Sequence, residues 1–308
     1  MWKIIQPPSI HFGSGVACNY HYLPNSLVIT SKGAISRGWI EYLKIKNFTI
    51  FDRVEPNPSI ETVEKIISQF KNEKFSSVIG LGGGSSLDVA KFTAFKMRKK
   101  KIMIPTTFGS GSEVTSISVL NVDRKKTSFH NEKILADVAV VDPIFIEDTP
   151  MEVIKNSAID ACAQCSEAYD SKLGNYYTKF LCDKAFNILE YAIMNEKYEN
   201  LPLGSLITGL GFGNCSTTLG HALSYVFSNE GYNHGHALAF TTFAAHKFNL
   251  SAYAERFGKI VKKLGFKKIQ LNQNLDDATE IILSDRKHLD NNPKIITRKN
   301  IIDLLRTI

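Results

Sequence analysis

The sequence predicts an α/β chain in two parts, a parallel-sheet domain over residues 1–146 followed by an all-helical domain over 147–308. Short β-branched runs alternate with helical periodicity through the first half and become rare in the second. A glycine-rich turn joins one of those runs to a helix, as parallel sheets do where they bind ligands. Length agrees, because 308 residues exceed what a single hydrophobic core usually holds.

Residues 27–30, 48–51, 78–81, 102–104 and 138–141 each read as a buried strand. Ahead of the third, Ile60, Val63, Ile66, Ile67 and Phe70 form one apolar stripe, predicting a helix capped by Ser59. Beyond Asp142-Pro143, residues 151–168, 176–192, 202–227 and 252–264 read as helices.

Composition excludes several classes. With 44% hydrophobic and 22% charged residues the chain has the make-up of a folded protein. The first residues lack the apolar run of a signal peptide, and residues 201–229, although free of Asp, Glu, Lys and Arg, hold too many Gly, Ser, Thr and Asn for a membrane span. A cytoplasmic location with no membrane partner is expected. Five cysteines, an odd and sparse set, read as free thiols. The +7 net charge is spread out, and its densest cluster, residues 96–101, falls where a helix should end and cations complement the helix dipole. Nucleic acid is therefore not expected, and a mild preference for anionic substrates is.

Gly82-Gly83-Gly84-Ser85 runs from a strand into a helix, where glycines admit close approach and free N–H groups hold an anion such as a pyrophosphate. Pro105-Thr106-Thr107-Phe108-Gly109-Ser110-Gly111 follows the next strand with hydroxyls and glycines. Together the two loops favour a nucleotide.

Phe12-Gly13-Ser14-Gly15, Glu55-Pro56-Asn57-Pro58, the glycine-rich turn with Asp88 and Lys91, Pro105-Thr106-Thr107, and Gly111-Ser112-Glu113-Val114-Thr115 follow one another. Asp142-Pro143, Asp160-Ala161, Glu167-Ala168-Tyr169, Gly220-His221-Ala222-Leu223 and His234-Gly235 come after them. In this order, over residues 4–240, they closely resemble the iron-containing (group III) alcohol dehydrogenase family. Dehydroquinate synthases and glycerol-1-phosphate dehydrogenases share the fold, but the loop 109–115 looks like the alcohol dehydrogenase version. The resemblance implies a Rossmann-like domain followed by a helical metal-binding and substrate domain, a homodimer, and NAD(P)(H)-dependent exchange of aldehydes and alcohols.

By position, the resemblance implies that Gly82, Gly83, Gly84 and Ser85 hold the cofactor pyrophosphate, that Thr106, Thr107 and Ser110 line the nucleotide, and that Asp88 and Thr115 belong to the same cofactor site. Asn57 would lie near its adenosine side, and Lys126 would reach its ribose or phosphates. An acidic residue in the family contacts the ribose where this chain has Ser31 and then Lys32. Lacking that carboxylate, the chain is expected to favour NADP(H) over NAD(H).

The family holds one divalent metal, Fe2+ or Zn2+, with an Asp, a His four residues later and two further His. This chain offers Asp160, Gln164, His221 and His234, so Gln164 replaces an imidazole and would either ligate weakly through its amide oxygen or mark a lost site. A second histidine that the family uses in proton transfer is Tyr225 here, and His236 is the other candidate proton relay. Family members continue beyond the point where this chain stops, implying a reduced helical half. The expected activity is reduction of a small, anionic aldehyde. Phosphonoacetaldehyde, giving 2-hydroxyethylphosphonate, is the first candidate by resemblance to that reductase branch, and succinic semialdehyde or another aldehyde is the second. A non-catalytic nucleotide-binding relative is the alternative from a different class.

Overall fold

The computed structural model describes residues 1–123 and 125–308. The strands are β1 (Ser9–Phe12), β2 (Ser26–Ile29), β3 (Phe48–Phe51), β4 (Ser77–Gly82), β5 (Lys100–Pro105), β6 (Ile117–Val122), β7 (Lys125–His130) and β8 (Val138–Val141). Six form a parallel sheet in the order β1-β8-β5-β4-β2-β3, and β6 pairs β7 as an antiparallel hairpin. All five expected strands are present. Missed were β1, only four residues long and nowhere fully buried, and the hairpin, whose second strand is mostly polar and half-buried.

The sheet unit, Ile4–Thr149, carries α1 (Val16–Asn19), α2 (Lys32–Ser36), α3 (Trp39–Tyr42), α4 (Ile60–Gln69) and α5 (Gly84–Met97). Ser59 caps α4 by accepting from Thr62 N, a bond that contributes about 1 kcal/mol. Val63 and Ile66 on its stripe pack with Leu27, Ile29 and Val78 of the sheet. β2 and β4 are apolar along their length because both faces are covered.

The second unit, Pro150–Ile308 with Met1–Lys3, is helical. Its boundary lies three residues later than expected, since Thr149 Oγ1 still donates to Phe145 O at 2.8 Å. The helices are α6 (Met151–Asp170), α7 (Tyr176–Met194), α8 (Leu201–Phe212), α9 (Leu219–Asn229), α10 (His234–Asn249) and α11 (Ala254–Leu264), followed by α12 (Leu275–Ser284), α13 (Arg286–Asn291) and α14 (Arg298–Thr307). The single helix expected over 202–227 is broken in two. Ser216 takes a left-handed φ of 66°, and its N–H bonds to Phe212 O, closing α8. That break frees the amino end of α9, which carries His221. No helix among the described residues is long and apolar enough to cross a membrane.

Candidate functional site

In the sheet unit, β4 lies between β2 and β5, and the loops after β4 and β5 meet at their carboxyl ends. Thr106 N donates to Gly82 O at 3.0 Å, and a Cβ on Gly83 would stand 2.9 Å from Thr107 Oγ1. A Cβ on Gly84 would meet Ser110 at 3.0 Å. The expected residues Gly82 to Ser85, Thr106, Thr107 and Ser110 are thus brought together around the N-terminus of α5, whose first N–H groups face outward from Gly83.

Asn57 and Lys126 share another edge. Asn121 donates to Asn57 O at 2.8 Å, and strand register sets Lys126 opposite Asn121. Ser31 stands at the amino end of α2 without a side-chain capping bond and forms an isolated bridge with Arg53, which places a guanidinium-bearing residue beside Ser31 and Lys32. Arg53 follows β3 with no pattern of its own, so only the pairing of neighbouring strands marks it.

Two cofactor expectations are corrected. The Asp88 carboxylate accepts from Ser112 Oγ at 2.6 Å and Val119 N at 3.0 Å and lies 3.4 Å from Lys91 Nζ. Its lone pairs are spent on building the second loop, not offered to a ligand. Thr115 is buried, and its carbonyl accepts from Lys91 Nζ at 3.2 Å. Lys91 itself is fully buried and also donates to Ile117 O, so this network sets the shape of the loop.

In the helical unit, the metal-type donor atoms of Asp160, His221 and His234 all lie within 4.8 Å of one another. Asp160 comes from α6, His221 from the first turn of α9, and His234 from the first residue of α10. Gly235 permits the last approach: a Cβ there would stand 2.1 Å from Asn156 O of α6, so only glycine lets α10 come this close. His221 Nε2 is 3.8 Å from Asp160 Oδ1, while its Nδ1 is held 2.5 Å from Glu167 Oε2. Glu167 also accepts from Thr218 Oγ1 and Gly220 N, which fixes the ring and leaves Nε2 for a ligand. Burial opposes charge on His221, but Glu167 and Asp160 push it up to about 9. Glu167, buried and on α6 two turns beyond Asp160, was not singled out from the sequence as a site residue; the seven-residue spacing on one helix face could have found it.

Gln164 lies beside the cluster, where its Nε2 donates to Asp160 Oδ1 at 2.9 Å; the atom expected to ligate is the other end of the amide. Its Oε1 is buried without a hydrogen-bond partner. One carboxylate and two imidazoles in reach of one another still fit a divalent ion such as iron or zinc.

Tyr225 stands at the cluster, its ring stacked on His234 with centroids 6.4 Å apart. Burial, with Asp285, Asp160 and Glu167 nearby, pushes its phenol well above the usual range. His236 is corrected as a proton relay. Two residues from His234 on a helix it faces away, against Phe266, with Nε2 2.6 Å from Lys267 O. His288 replaces it near the site: its ring lies 6.2 Å from that of His221 and 5.9 Å from that of Tyr225, with Nδ1 held 2.6 Å from Asp285. Lying 67 positions after His221, it gave no signal in the sequence. The buried Cys162 and Cys165, as expected, are free thiols apart from the ligand set.

A nucleotide-type sheet and a carboxylate–imidazole cluster define a metal-assisted, nucleotide-dependent oxidoreductase class. The chain belongs to the iron-containing alcohol dehydrogenase family, whose members are oxidoreductases: the profile described as iron-containing alcohol dehydrogenase matches residues 7–143, and that of the family's C-terminal region matches 154–285. It is 32% identical over 271 residues to long-chain-alcohol dehydrogenase 1 of Geobacillus thermodenitrificans, covering 74% of this chain and 68% of that protein. It is 32% identical over 209 residues to 4-hydroxybutyrate dehydrogenase of Clostridium kluyveri, covering 58% and 56%. The crystal structure of an iron-containing alcohol dehydrogenase from Thermotoga maritima superposes with a TM-score of 0.91 at 25% identity, covering 100% of this chain and 99% of that one.

Proposed function

We propose that this chain reduces a small anionic aldehyde to its primary alcohol with NADPH, at a divalent metal held by Asp160, His221 and His234. The observation that carries this reading is the convergence of those three donor atoms within 4.8 Å, beside the half-buried Tyr225. When bound, the metal supplies Lewis-acid polarisation of a carbonyl oxygen and NADPH the hydride.

The residues around the site do the rest. Glu167 holds the His221 ring so that Nε2 faces the cluster, and Gln164 orients the Asp160 carboxylate. Tyr225 keeps its phenolic proton and delivers it to the developing alkoxide. Thr107 and Ser110 line the glycine-rich turn against the pyrophosphate. Lys32 and Arg53 beside Ser31 support a 2′-phosphate, hence NADPH over NADH.

Phosphonoacetaldehyde is the first substrate to try, from the resemblance of the segments around His221 and His234, and succinic semialdehyde the second. The Clostridium kluyveri relative is named for 4-hydroxybutyrate, the alcohol that corresponds to succinic semialdehyde. NADPH oxidation with each aldehyde and with propanal, after chelation and after adding Fe2+ or Zn2+, tests the reading. Turnover that needs the metal and falls about a hundredfold in Tyr225→Phe is expected. NADPH binding without turnover under any metal would instead assign a non-catalytic nucleotide-binding role, and activity unaffected by chelation and by His234→Ala would remove the metal.

A further inference from the structure

At the opposite end of the sheet from the glycine-rich turn, the carboxyl end of α5, the start of β5 and residue Lys133 surround a cavity of about 760 Å³. Six of its nine lining residues are cations: Lys96, Arg98, Lys99, Lys100, Lys101 and Lys133. The one acid, Asp137, is already engaged by Lys101, whose Nζ lies 3.0 Å away and whose backbone N–H donates to it at 2.7 Å. The lining therefore carries a net +5, against +7 for the whole chain. Charge that looks dispersed along the sequence is gathered here by the fold.

Two ordinary explanations fall short. Cations at a helix carboxyl end complement its dipole, but that end carries roughly half a negative charge, enough for one cation and not for five. Unpaired surface cations are ordinary when scattered, and some here are paired, as Arg256 is with Glu190 and Lys263 with Glu196, but scattered cations do not line one cavity. Among the described residues, Lys96, Arg98, Lys99, Lys100 and Lys133 have no carboxylate partner. Like charges held in one concavity repel until a counter-charge enters.

We propose that this cavity binds an oligophosphate, the linked phosphoryl groups of a small molecule of the nucleoside triphosphate class. Several negative charges within a few ångströms match five cations without a carboxylate partner better than a single carboxylate does, and the volume is that of a small-molecule site. Phe95 in the lining offers an aromatic wall beside the cations. The site is separate from the nucleotide loops, since β5 from Lys100 to Pro105, roughly 17 Å of strand, lies between them.

Calorimetric titration of inorganic tripolyphosphate and of ATP into the full chain saturated with NADPH tests this, because the cofactor then occupies the other phosphate site. Saturable one-to-one binding of both is expected, with orthophosphate weaker by about tenfold or more. The double variant Lys99→Gln with Lys100→Gln should weaken tripolyphosphate by about tenfold, while Lys263→Gln, a paired surface cation, leaves it unchanged. Binding that the double variant does not alter overturns the proposal. So does binding of a single-stranded oligonucleotide with neither phosphate probe bound, which would give the surface to nucleic acid.

Discussion

Glu167 holds His221 from behind: Oε2 lies 2.5 Å from His221 Nδ1, while Oε1 accepts from Thr218 and Gly220 at the start of α9. Burial would raise this carboxyl, but the adjacent imidazole and these donors bring it down to about 2. One carboxylate thereby sets both the ring orientation and the helix start. Glu167→Gln should keep the fold and lower metal affinity about 10- to 100-fold, read as metal content after dialysis against a weak chelator. Unchanged content would remove Glu167 from the site.

Gln164 stands one turn from Asp160 with only its Nε2 engaged. Gln164→His puts an imidazole on the same helix face and adds a fourth donor. Metal affinity should rise at least about tenfold, measured by competition with a chromogenic chelator. A fall would show that the amide is needed where it is.

Gly235 is fixed by contact with backbone, which cannot rotate away. A Cβ would stand 2.1 Å from Asn156 O, so Gly235→Ala must push α10 from α6 and carry His234 out of reach of Asp160. Loss of about 2 kcal/mol of stability in urea, together with loss of bound metal, is expected. Wild-type metal content in a folded Gly235→Ala chain would contradict this account of helix approach.

His246, fully buried on α10 with Nε2 2.8 Å from Ser166 Oγ, is pushed down to about 4 by burial, partly opposed by Glu167. Between pH 4 and 6.5 the unfolded chain binds this proton and the folded one does not, so this contribution is present above pH 6.5 and lost as pH falls toward 4. The loss amounts to about 3 kcal/mol at most. Urea melts at pH 7 and 4.5 should show a smaller acid loss for His246→Gln than for wild type; equal losses would assign the acid limb to other groups.

The sequence by itself determined the two-part architecture, because the period of apolar residues changes from strand-like to helical near residue 145 and the inner strands β2, β4 and β8 are buried on both faces. It determined the nucleotide loops as well, since glycines and hydroxyls adjacent in the chain remain adjacent in the fold. Asp160, His221 and His234 were legible as residues. Tertiary structure decided what surrounds them: Gln164 turns its nitrogen to Asp160, His236 faces away, and Glu167 and His288 come in beside His221. It also decided where the charge collects. A helix face shows spacing up to a few turns, but orientation across helices, and the meeting of a helix end with a strand start at the basic cavity, depend on packing that no local pattern encodes.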